Sequence, residues 1–456
     1  MAPLFRMLGR FTVVFYTVFT LGAFTALYSV LFRLDWPPLS RELSSPPFLG
    51  GGDSSDISDP ISGSEFPFLS RLCNEAEWTE GLWLQCHNGA GPAGLSMRGG
   101  LNNLRNRLQT CVRLAISAGA GVIMPSFATR DDGDLLSYDG EECPANLFDT
   151  ERFERALSVG CPQLKIRSCN DTKGLDTTID AKFRKYLDPS YFNETFRAAI
   201  DDTIARSGVT RPEINEKKPL LILYGDPFLA WNYTTSAETN EKKDLFKTLR
   251  YNKQLSELGE QIFDSLKQKS SGPIVAVHLR GEADWPGGVF GDFNVQLDQY
   301  TEALLDLRNN TLHPNGTAIV NDCYVSCGNP DAIQQFRQRV EPLGYVVHSK
   351  TSVLGDNKEV REKIEDLRFD ERAVTEYESL VSADYFIGLI TSSLSDVVAY
   401  ARTVDEEGDY FEDHIHPGTS RGEFIERVFP GGPLVIGNER TKLMVLTGPN
   451  IMDCFP

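Results

Sequence analysis

Basic residues are the scarce charge in this sequence. Its 456 residues contain 45 Lys and Arg against 64 Asp and Glu, which gives a formal net charge of −19. This balance argues against nucleic acid or an anionic membrane surface as the main partner, because both repel an acidic protein. An anionic ligand must therefore bind in a locally basic pocket. The apolar fraction of 41% and the charged fraction of 24% are ordinary for a globular protein.

Two kinds of chemistry lack the residues that they need. No Cys-x-x-Cys pair occurs, which disfavours a structural zinc site. The six histidines end at His416, so the G-x-S-x-G match at 418–422 has no later histidine and is not the nucleophile elbow of an α/β-hydrolase. His414 and His416 beside Asp413 are more typical of a polar loop than of a metal site.

The sequence contains nine cysteines, a number that suits an oxidising compartment. Because nine is odd, one cysteine is left without a partner in the chain. Cys111 is the expected free thiol, since it falls on the apolar face of a predicted helix. The pairing of the others stays open: Cys73, Cys86, Cys143, Cys161, Cys169, Cys323, Cys327 and Cys454.

The first 70 residues do not have the pattern of a folded domain. Residues 11–32 contain no charge, which is enough helix to cross a bilayer and is longer than the apolar region of most cleaved signal peptides. We therefore predict a cytoplasmic tail at 1–10, a transmembrane signal anchor at 11–32, and a flexible stem rich in Pro, Gly, Ser and Asp at 33–70. The remainder would be luminal, and five glycosylation sequons agree with this: Asn170, Asn193, Asn232, Asn309 and Asn315.

Beyond residue 70, short apolar runs alternate with helical patterns, which predicts an α/β fold with mainly parallel sheets. Strands are expected at 82–86, 121–125, 219–225, 273–281, 323–327, 345–349 and 382–390, and helices at 102–117, 331–340 and 392–402. The polar stretch near 255–270 divides the chain into two domains, at 71–262 and 263–456.

Two motif matches look weaker in context. Gly89, Gly91 and Gly94 spell G-x-G-x-x-G after a predicted strand, but the next helix starts about eight residues later, so its N-terminus cannot hold a dinucleotide pyrophosphate at that turn. Asp132 and Asp134 spell the D-x-D of many metal-dependent sugar transferases, within an acidic loop where chance matches are common.

Three other stretches combine residues that suit an anionic ligand. Gly99 and Gly100 allow close backbone approach before Asn102 and Asn103, which open a helix. His278 and Arg280 close a buried strand and are followed by Glu282 and Asp284, which are either general bases or partners of the arginine. The third stretch follows the last predicted strand and opens a helix, whose free N–H groups favour phosphate. Its polar residues are Ser392, Ser393, Ser395 and Asp396.

The order of GGLNN-x-R, HLRGE-x-D and DYFIG-x4-SLSD resembles the GDP-fucose protein O-fucosyltransferase superfamily. The resemblance spans about residues 73–402. It implies a GT-B enzyme with two Rossmann-like domains that transfers fucose from GDP-fucose with inversion and requires no metal or other cofactor. The anchor, stem and sequons are those of a single-pass Golgi or endoplasmic-reticulum glycosyltransferase with a luminal catalytic domain.

The resemblance also implies roles for individual residues. Arg280 would neutralise the β-phosphate as the fucosyl bond breaks, and Glu282 and Asp284 are the catalytic carboxylate candidates. His278 would contact the nucleotide, Glu376 and Glu378 are candidates for guanine recognition, and the Gly99–Asn103 loop would lie near the sugar and the acceptor. The diphosphate would bind Ser392, Ser393, Ser395 and Asp396. We expect Arg280→Ala to abolish transfer with thermal stability nearly unchanged.

The acceptor stays open among a protein, a glycan and a lipid, because acceptor grooves lie in variable loops. Two rival functions also stay open. One is a transferase that uses another nucleotide sugar, since phosphate contacts do not read the sugar. The other is a catalytically silent luminal binding protein on the same scaffold.

Overall fold

The computed structural model describes residues 61–91, 94–181, 189–225, 236–285, 292–313, 315–355, 357–390, 392–405 and 435–444. The predicted tail and anchor, most of the stem, and the 413–422 motifs lie outside these residues. The described chain begins to pack slightly before residue 70, because Phe66 and Leu69 are buried in the core. Among the described helices, none is long and apolar enough to span a bilayer.

The first half of the described chain builds a parallel sheet covered by helices. Its elements are α1 (Pro67–Glu75), β1 (Leu82–His87), α2 (Leu101–Ala118), β2 (Gly121–Ile123), β3 (Phe127–Asp131), β4 (Asp134–Glu142), α3 (Thr150–Gly160), β5 (Ile166–Arg167), β6 (Thr177–Ala181), α4 (Pro189–Arg206), β7 (Leu220–Gly225), α5 (Ser236–Thr248) and α6 (Lys253–Lys269). The strands β5-β2-β1-β7-β6 form the sheet in that order, and all its pairs are parallel.

The second half builds a six-stranded sheet of the same kind. Its elements are β8 (Ile274–His278), α7 (Phe293–Asn310), β9 (Asp322–Ser326), α8 (Pro330–Val340), β10 (Val346–His348), α9 (Lys350–Leu354), α10 (Lys358–Glu365), α11 (Phe369–Ser382), β11 (Tyr385–Leu389), α12 (Ser393–Thr403), β12 (Val435–Gly437) and β13 (Thr441–Met444). The order is β10-β9-β8-β11-β13-β12, parallel except for the last pair.

The predicted α/β fold with parallel sheets is confirmed, and each strand and helix expected from the sequence occurs within a few residues of its predicted range. Continuous apolar runs such as Leu220–Gly225 form central strands because both faces of a parallel sheet are covered. The antiparallel hairpin of β3 and β4 is not predicted, since β4 is mostly exposed and acidic and has no apolar face.

Helix α2 is buried on more faces than its apolar pattern predicts. Leu104, Leu108 and Ala115 face the core as expected, but Arg105 and Gln109 are buried as well. The Arg105 guanidinium donates to the carbonyls of Phe246 and Leu249, and the Gln109 amide donates to that of Leu245. These bonds anchor the two polar side chains where α2 packs between the first sheet and α11 and α12, although Nε of Arg105 and Oε1 of Gln109 have no partner among the described residues.

Three disulfides cross-link the first half: Cys73–Cys161, Cys86–Cys111 and Cys143–Cys169. The prediction that Cys111 is a free thiol is therefore wrong. The apolar face of α2 packs on β1, which places Cys111 opposite Cys86 with the Cα atoms 5.9 Å apart. In the described second half Cys323 and Cys327 are free thiols, and Cys454 lies outside the described residues.

Candidate active site

A cavity of about 850 Å³ opens where the carboxyl ends of β8, β9 and β11 meet the start of α2. Five basic side chains and four carboxylates line it, so it is locally basic in a chain of net charge −19. The charged residues are Arg130, Arg280, Arg337, Lys350, Arg372, Glu282, Asp284, Asp370 and Glu376. Residues from all three stretches singled out in the sequence line the cavity, although Gly99, Ser395 and Asp396 do not.

The glycine pair of the first stretch lies directly before α2. Gly99 has a φ of +133°, a conformation that favours glycine, and Gly100 is the N-cap residue of the helix. Asn102 is buried and its side-chain oxygen accepts a 2.6 Å hydrogen bond from the Tyr251 hydroxyl. The buried Asn103 side-chain oxygen has no hydrogen-bond partner among the described residues, and Asn103 lines the cavity.

Arg280 stands at the centre of an ion-pair chain. Its guanidinium donates to Glu282 and, at 2.8 Å, to Asp284, and the second oxygen of Asp284 accepts from Arg130 at 2.7 Å. The Arg280 guanidinium holds the pKa of Glu282 below its usual range despite burial of that carboxyl. Both carboxylates that follow Arg280 are therefore arginine partners, which was one of the two roles that their sequence pattern allows.

A buried glutamine fixes the backbone that carries this arginine. Gln296 on α7 accepts from the Arg280 N–H at 2.7 Å and donates to the Arg280 carbonyl at 2.9 Å. The Asn329 amide donates to the Gly281 carbonyl at 2.7 Å. Gly281 has no room for a side chain, because a Cβ there would lie 2.6 Å from the Cβ of Ala332. Hydrogen bonds therefore fix the backbone of Arg280 and Gly281 shortly after β8.

His278 is buried and neutral at physiological pH. Burial lowers its pKa to about 4, although the nearby Glu282 carboxylate opposes this shift. Its Nδ1 lies 2.7 Å from the hydroxyl oxygen of Ser395, which also accepts from the Leu389 N–H at 3.0 Å. A hydroxyl oxygen has two lone pairs, so Ser395 can accept from the Leu389 N–H and still either donate to Nδ1 or accept from an Nδ1–H; the contact fits both neutral tautomers of the ring. His278 is therefore uncharged and is held at Nδ1 by Ser395.

The third stretch is divided by the turn of α12. Ser392 and Ser393 line the cavity at the helix N-terminus, whereas Ser395 is fully buried behind His278 and Asp396 is buried in the core. Gly388 makes this packing possible, because a Cβ at that position would lie 2.6 Å from the Ser395 hydroxyl oxygen. Ser395 therefore holds a site residue, while Ser392 and Ser393 face the cavity.

Five of the nine charged residues of the cavity are not predicted from the sequence: Arg130, Arg337, Lys350, Asp370 and Arg372. Arg130 comes from the hairpin and reaches Asp284, and Asp370 comes from the first turn of α11. Asp370 accepts a 3.1 Å hydrogen bond from the Leu101 N–H, so the start of α2 is occupied by a carboxylate of the second half. No local pattern marks these residues, since each is brought in by contacts between distant segments.

Glu376 and Glu378 occupy different environments. Glu376 lines the cavity, accepts from the Tyr324 hydroxyl at 2.6 Å and pairs with Lys350 at 2.9 Å. Glu378 does not line the cavity and packs against α6, where a Cβ on Gly259 would meet its side chain at 2.7 Å. Burial raises the pKa of Glu378.

The two weaker motifs serve the fold. Gly89, Gly91 and Gly94 all have positive φ and form a loop away from the cavity. Asp132 accepts from the Phe369 N–H at 2.9 Å and pairs with Arg372, while Asp134 accepts from Ser137 within the hairpin. Within the described ranges, no group of three or more His, Cys, Asp or Glu is arranged to hold a metal ion.

Solved structures similar to this chain include those of POFUT1, NodZ and FUT1. POFUT1 in complex with GDP-fucose is 14% identical, with 74% of this chain and 97% of that chain covered and a TM-score of 0.41. The fucosyltransferase NodZ from Bradyrhizobium is 14% identical, covering 71% and 93% with a TM-score of 0.37. A mutant of Arabidopsis thaliana FUT1 in complex with GDP is 12% identical, covering 74% and 73% with a TM-score of 0.37.

A search of curated proteins found no match. The family model for GDP-fucose protein O-fucosyltransferase, in contrast, matches residues 95–405, which is more than half of the chain and includes all three stretches that meet at the cavity. The chain therefore belongs to the GDP-fucose protein O-fucosyltransferase family and is a glycosyltransferase.

Proposed function

We propose that this protein transfers fucose from GDP-fucose to a hydroxyl of a protein or glycan acceptor, with inversion at the anomeric carbon. The observation that carries the proposal is Arg280 at the wall of a basic cavity, with its guanidinium held by two carboxylates and its backbone held by Gln296. Solved relatives bind GDP and GDP-fucose, as POFUT1 does, and the family match brings that donor to this chain as the proposal.

Arg280 would stabilise the charge that develops on the departing GDP. A guanidinium has five N–H donors in a fixed plane, and the ion pairs with Glu282 and Asp284 use only some of them. The others remain for a phosphate oxygen, and the carboxylates fix their direction. Such preorganised donors act on charge that appears in the transition state, which is where stabilisation accelerates the reaction.

The diphosphate would also lie against the start of α12. Ser392 is the N-cap residue without a side-chain capping bond, and Ser393 begins the helix beside it. Their hydroxyls and the first helical N–H groups together form an anion site. In this arrangement Ser395 and Asp396 support the helix from behind and do not touch the donor.

The nucleoside would occupy the side of the cavity formed by His278 and Glu376. The neutral imidazole offers a hydrogen bond through its Nε2, and the Glu376 carboxylate, paired with Lys350, offers acceptors for guanine N–H groups. Glu378 is not given this role, because it faces α6. The two parallel sheets support two Rossmann-like domains in a GT-B arrangement, for which we propose limits at 71–262 and 263–456.

We also propose the membrane placement expected from the sequence. The chain would be a single-pass protein of the Golgi or endoplasmic reticulum, with the tail at 1–10, the anchor at 11–32, the stem at 33–70 and the catalytic part in the lumen. Three disulfides and the exposed sequons at Asn309 and Asn315 are compatible with an oxidising, glycosylating compartment.

The test is a calorimetric titration of the full chain, solubilised in detergent, with GDP, GDP-fucose and GDP-mannose, followed by measurement of GDP release. We expect saturable binding of GDP and GDP-fucose and release of GDP from GDP-fucose. Tighter binding and turnover of GDP-mannose would identify a transferase for another sugar. Binding of GDP-fucose without turnover in the presence of acceptor glycoproteins would identify a silent binding protein.

A further inference from the structure

The four carboxylates of the cavity differ in how much of each is already bound. Glu282 and Asp284 pair with Arg280, and Glu282 also accepts from the Gly328 N–H at 2.7 Å. Glu376 uses one oxygen for Tyr324 and the other for Lys350. Proton acceptance by any of the three would break an ion pair or a charge-assisted hydrogen bond. The fourth carboxylate, Asp370, is bound differently.

Only one oxygen of Asp370 accepts a hydrogen bond from the described residues. Its Oδ1 accepts from the Leu101 N–H at 3.1 Å, at the start of α2. Its Oδ2 lies 3.9 Å from Nε of Arg130, beyond hydrogen-bond distance, and accepts no hydrogen bond from the described residues. The residue is 8% exposed and lines the cavity, so this oxygen is both desolvated and accessible to a bound hydroxyl.

Asp370 also lies close to the phosphate-binding arginine. Arg130 contacts Asp284 with one nitrogen and faces Asp370 with another, so one guanidinium and one carboxylate separate Asp370 from Arg280. On the other side Asp370 touches the Gly100–Leu101 backbone, which begins the stretch that the resemblance places near the sugar and acceptor. A fucosyl group between Arg280 and the start of α2 would present its anomeric carbon toward this carboxylate.

The surroundings of Asp370 suit proton acceptance near neutral pH. Burial raises its pKa to about 6, and Glu142 from the hairpin and Asp284 add to the rise. Arg130 and the Leu101 N–H oppose it. A base works best when its pKa is close to the working pH, because it is then ionised yet still binds a proton strongly.

We propose, resting on the proposed function, that Asp370 is the general base of transfer. The acceptor oxygen forms the bond to the anomeric carbon, and its proton passes to Oδ2 of Asp370. The bond between the anomeric carbon and the β-phosphate oxygen breaks, and its electron pair leaves with GDP, where Arg280 meets the charge. Inversion requires the base and the leaving group on opposite sides of the sugar, and a sugar bound between Arg280 and Asp370 would meet this requirement.

Asp370→Asn in the full chain tests this role, because asparagine keeps an oxygen for the Leu101 N–H and loses only the ability to take a proton. GDP-fucose is the probe, with water in place of the acceptor hydroxyl. We expect GDP release to fall about 10²-fold to 10⁴-fold while the Kd for GDP changes less than about twofold. Asp366→Asn on the exposed end of α10 removes the same charge outside the cavity and should leave both unchanged.

Two further readouts separate a base from a residue that only caps α2. In the wild type, GDP release should rise with pH through about 6 and then level off, and this acid limb should be absent from Asp370→Asn. Because the buried carboxylate is costly in its ionised form, the variant should melt no lower than the wild type at pH 7.5. If Asp370 only capped α2, Asp370→Asn would keep the cap, and it would show the same turnover and the same acid limb as the wild type.

The assignment is overturned if Asp370→Asn releases GDP at the wild-type rate, or if it loses GDP binding and melting temperature together. A wild-type chain that binds neither GDP nor GDP-fucose would contradict the proposed function itself. That outcome differs from a wild type that turns over GDP-fucose beside an equally active variant, which contradicts only the role of Asp370.

Discussion

The two halves of the described chain, within residues 61–269 and 274–444, contrast in how they are held together and in what they bring to the cavity. The first half contains all three described disulfides and contributes only Gly100–Asn103 and Arg130. The second half contributes most of the lining, and its arginines and carboxylates are fixed by ion pairs and by Gln296. Covalent links thus hold the backbone that frames the cavity, while reversible contacts hold the charges that a ligand would have to meet.

The largest expected effect falls on the charged half. Arg280→Ala should lower transfer by about 10³-fold or more, because no other donor occupies its place. Contrary to the expectation from sequence alone, it should also lower the free energy of unfolding by on the order of 3 kcal/mol, since Glu282 is left buried without its cation. Kinetics and urea unfolding measure the two losses. Arg280→Lys, which retains the charge, should recover stability more than activity; equal recovery of both would contradict the phosphate role.

The disulfides allow the framing half to be tested with a matched pair of variants. Replacing Cys86 and Cys111 with serine frees the loop that carries Gly100 and Asn103, whereas replacing Cys143 and Cys169 frees a loop of nearly equal length, with separations of 25 and 26 residues. Each should cost about 3 kcal/mol of stability in thermal unfolding. Only the loss of Cys86–Cys111 should also lower transfer, by about tenfold, because it displaces the Gly100–Asn103 backbone that lines the cavity. Equal activity losses would show that the second loop supports the site as well.

The stability of the charged half should depend on pH through His278. Its pKa is about 4 in the folded protein and near 6.5 when unfolded, so the unfolded chain takes up a proton between these values and the folded chain does not. Stability should therefore fall as pH decreases from 6.5 to 4, by on the order of 3 kcal/mol from this group. The free energy of unfolding, measured in urea at pH 7 and at pH 4.5, should differ less between the two pH values in His278→Asn than in the wild type. The exposed His313→Asn is the control, and an unchanged pH dependence in both would refute the assignment.

The smallest effect is expected from Ser395→Ala, which leaves every charge in place. Nδ1 of His278 loses its partner and the Leu389 N–H loses its acceptor, so the Kd for GDP should rise only several-fold and stability should fall by about 1–3 kcal/mol. Calorimetry and thermal unfolding check these values. Ser265→Ala on the exposed face of α6 also removes one hydroxyl hydrogen bond and should change neither. A Kd for GDP that does not change would show that the imidazole is held without Ser395.

Much of this arrangement could be predicted because its causes are local. His278 and Arg280 end an apolar strand, and the chain from Ser392 opens a helix after another; in a parallel sheet the carboxyl ends of both strands share one edge. Arg130 and Asp370 could not be predicted in the same way. Each is an unremarkable charge in its own segment, and it gains a role only where the hairpin and α11 meet.

The sequence by itself determined the α/β fold, the family, and the three stretches that meet at the cavity, because strand and helix patterns and short motifs depend on neighbours in the chain. Only the tertiary structure decided which side chains touch. It paired Cys111 with Cys86, turned Ser395 and Asp396 away from the cavity, and bound Glu282 and Asp284 to Arg280. It also left one oxygen of Asp370 free of hydrogen bonds from the described residues. Burial and pairing between distant segments set these outcomes, and neither can be predicted from the spacing of residues along the chain.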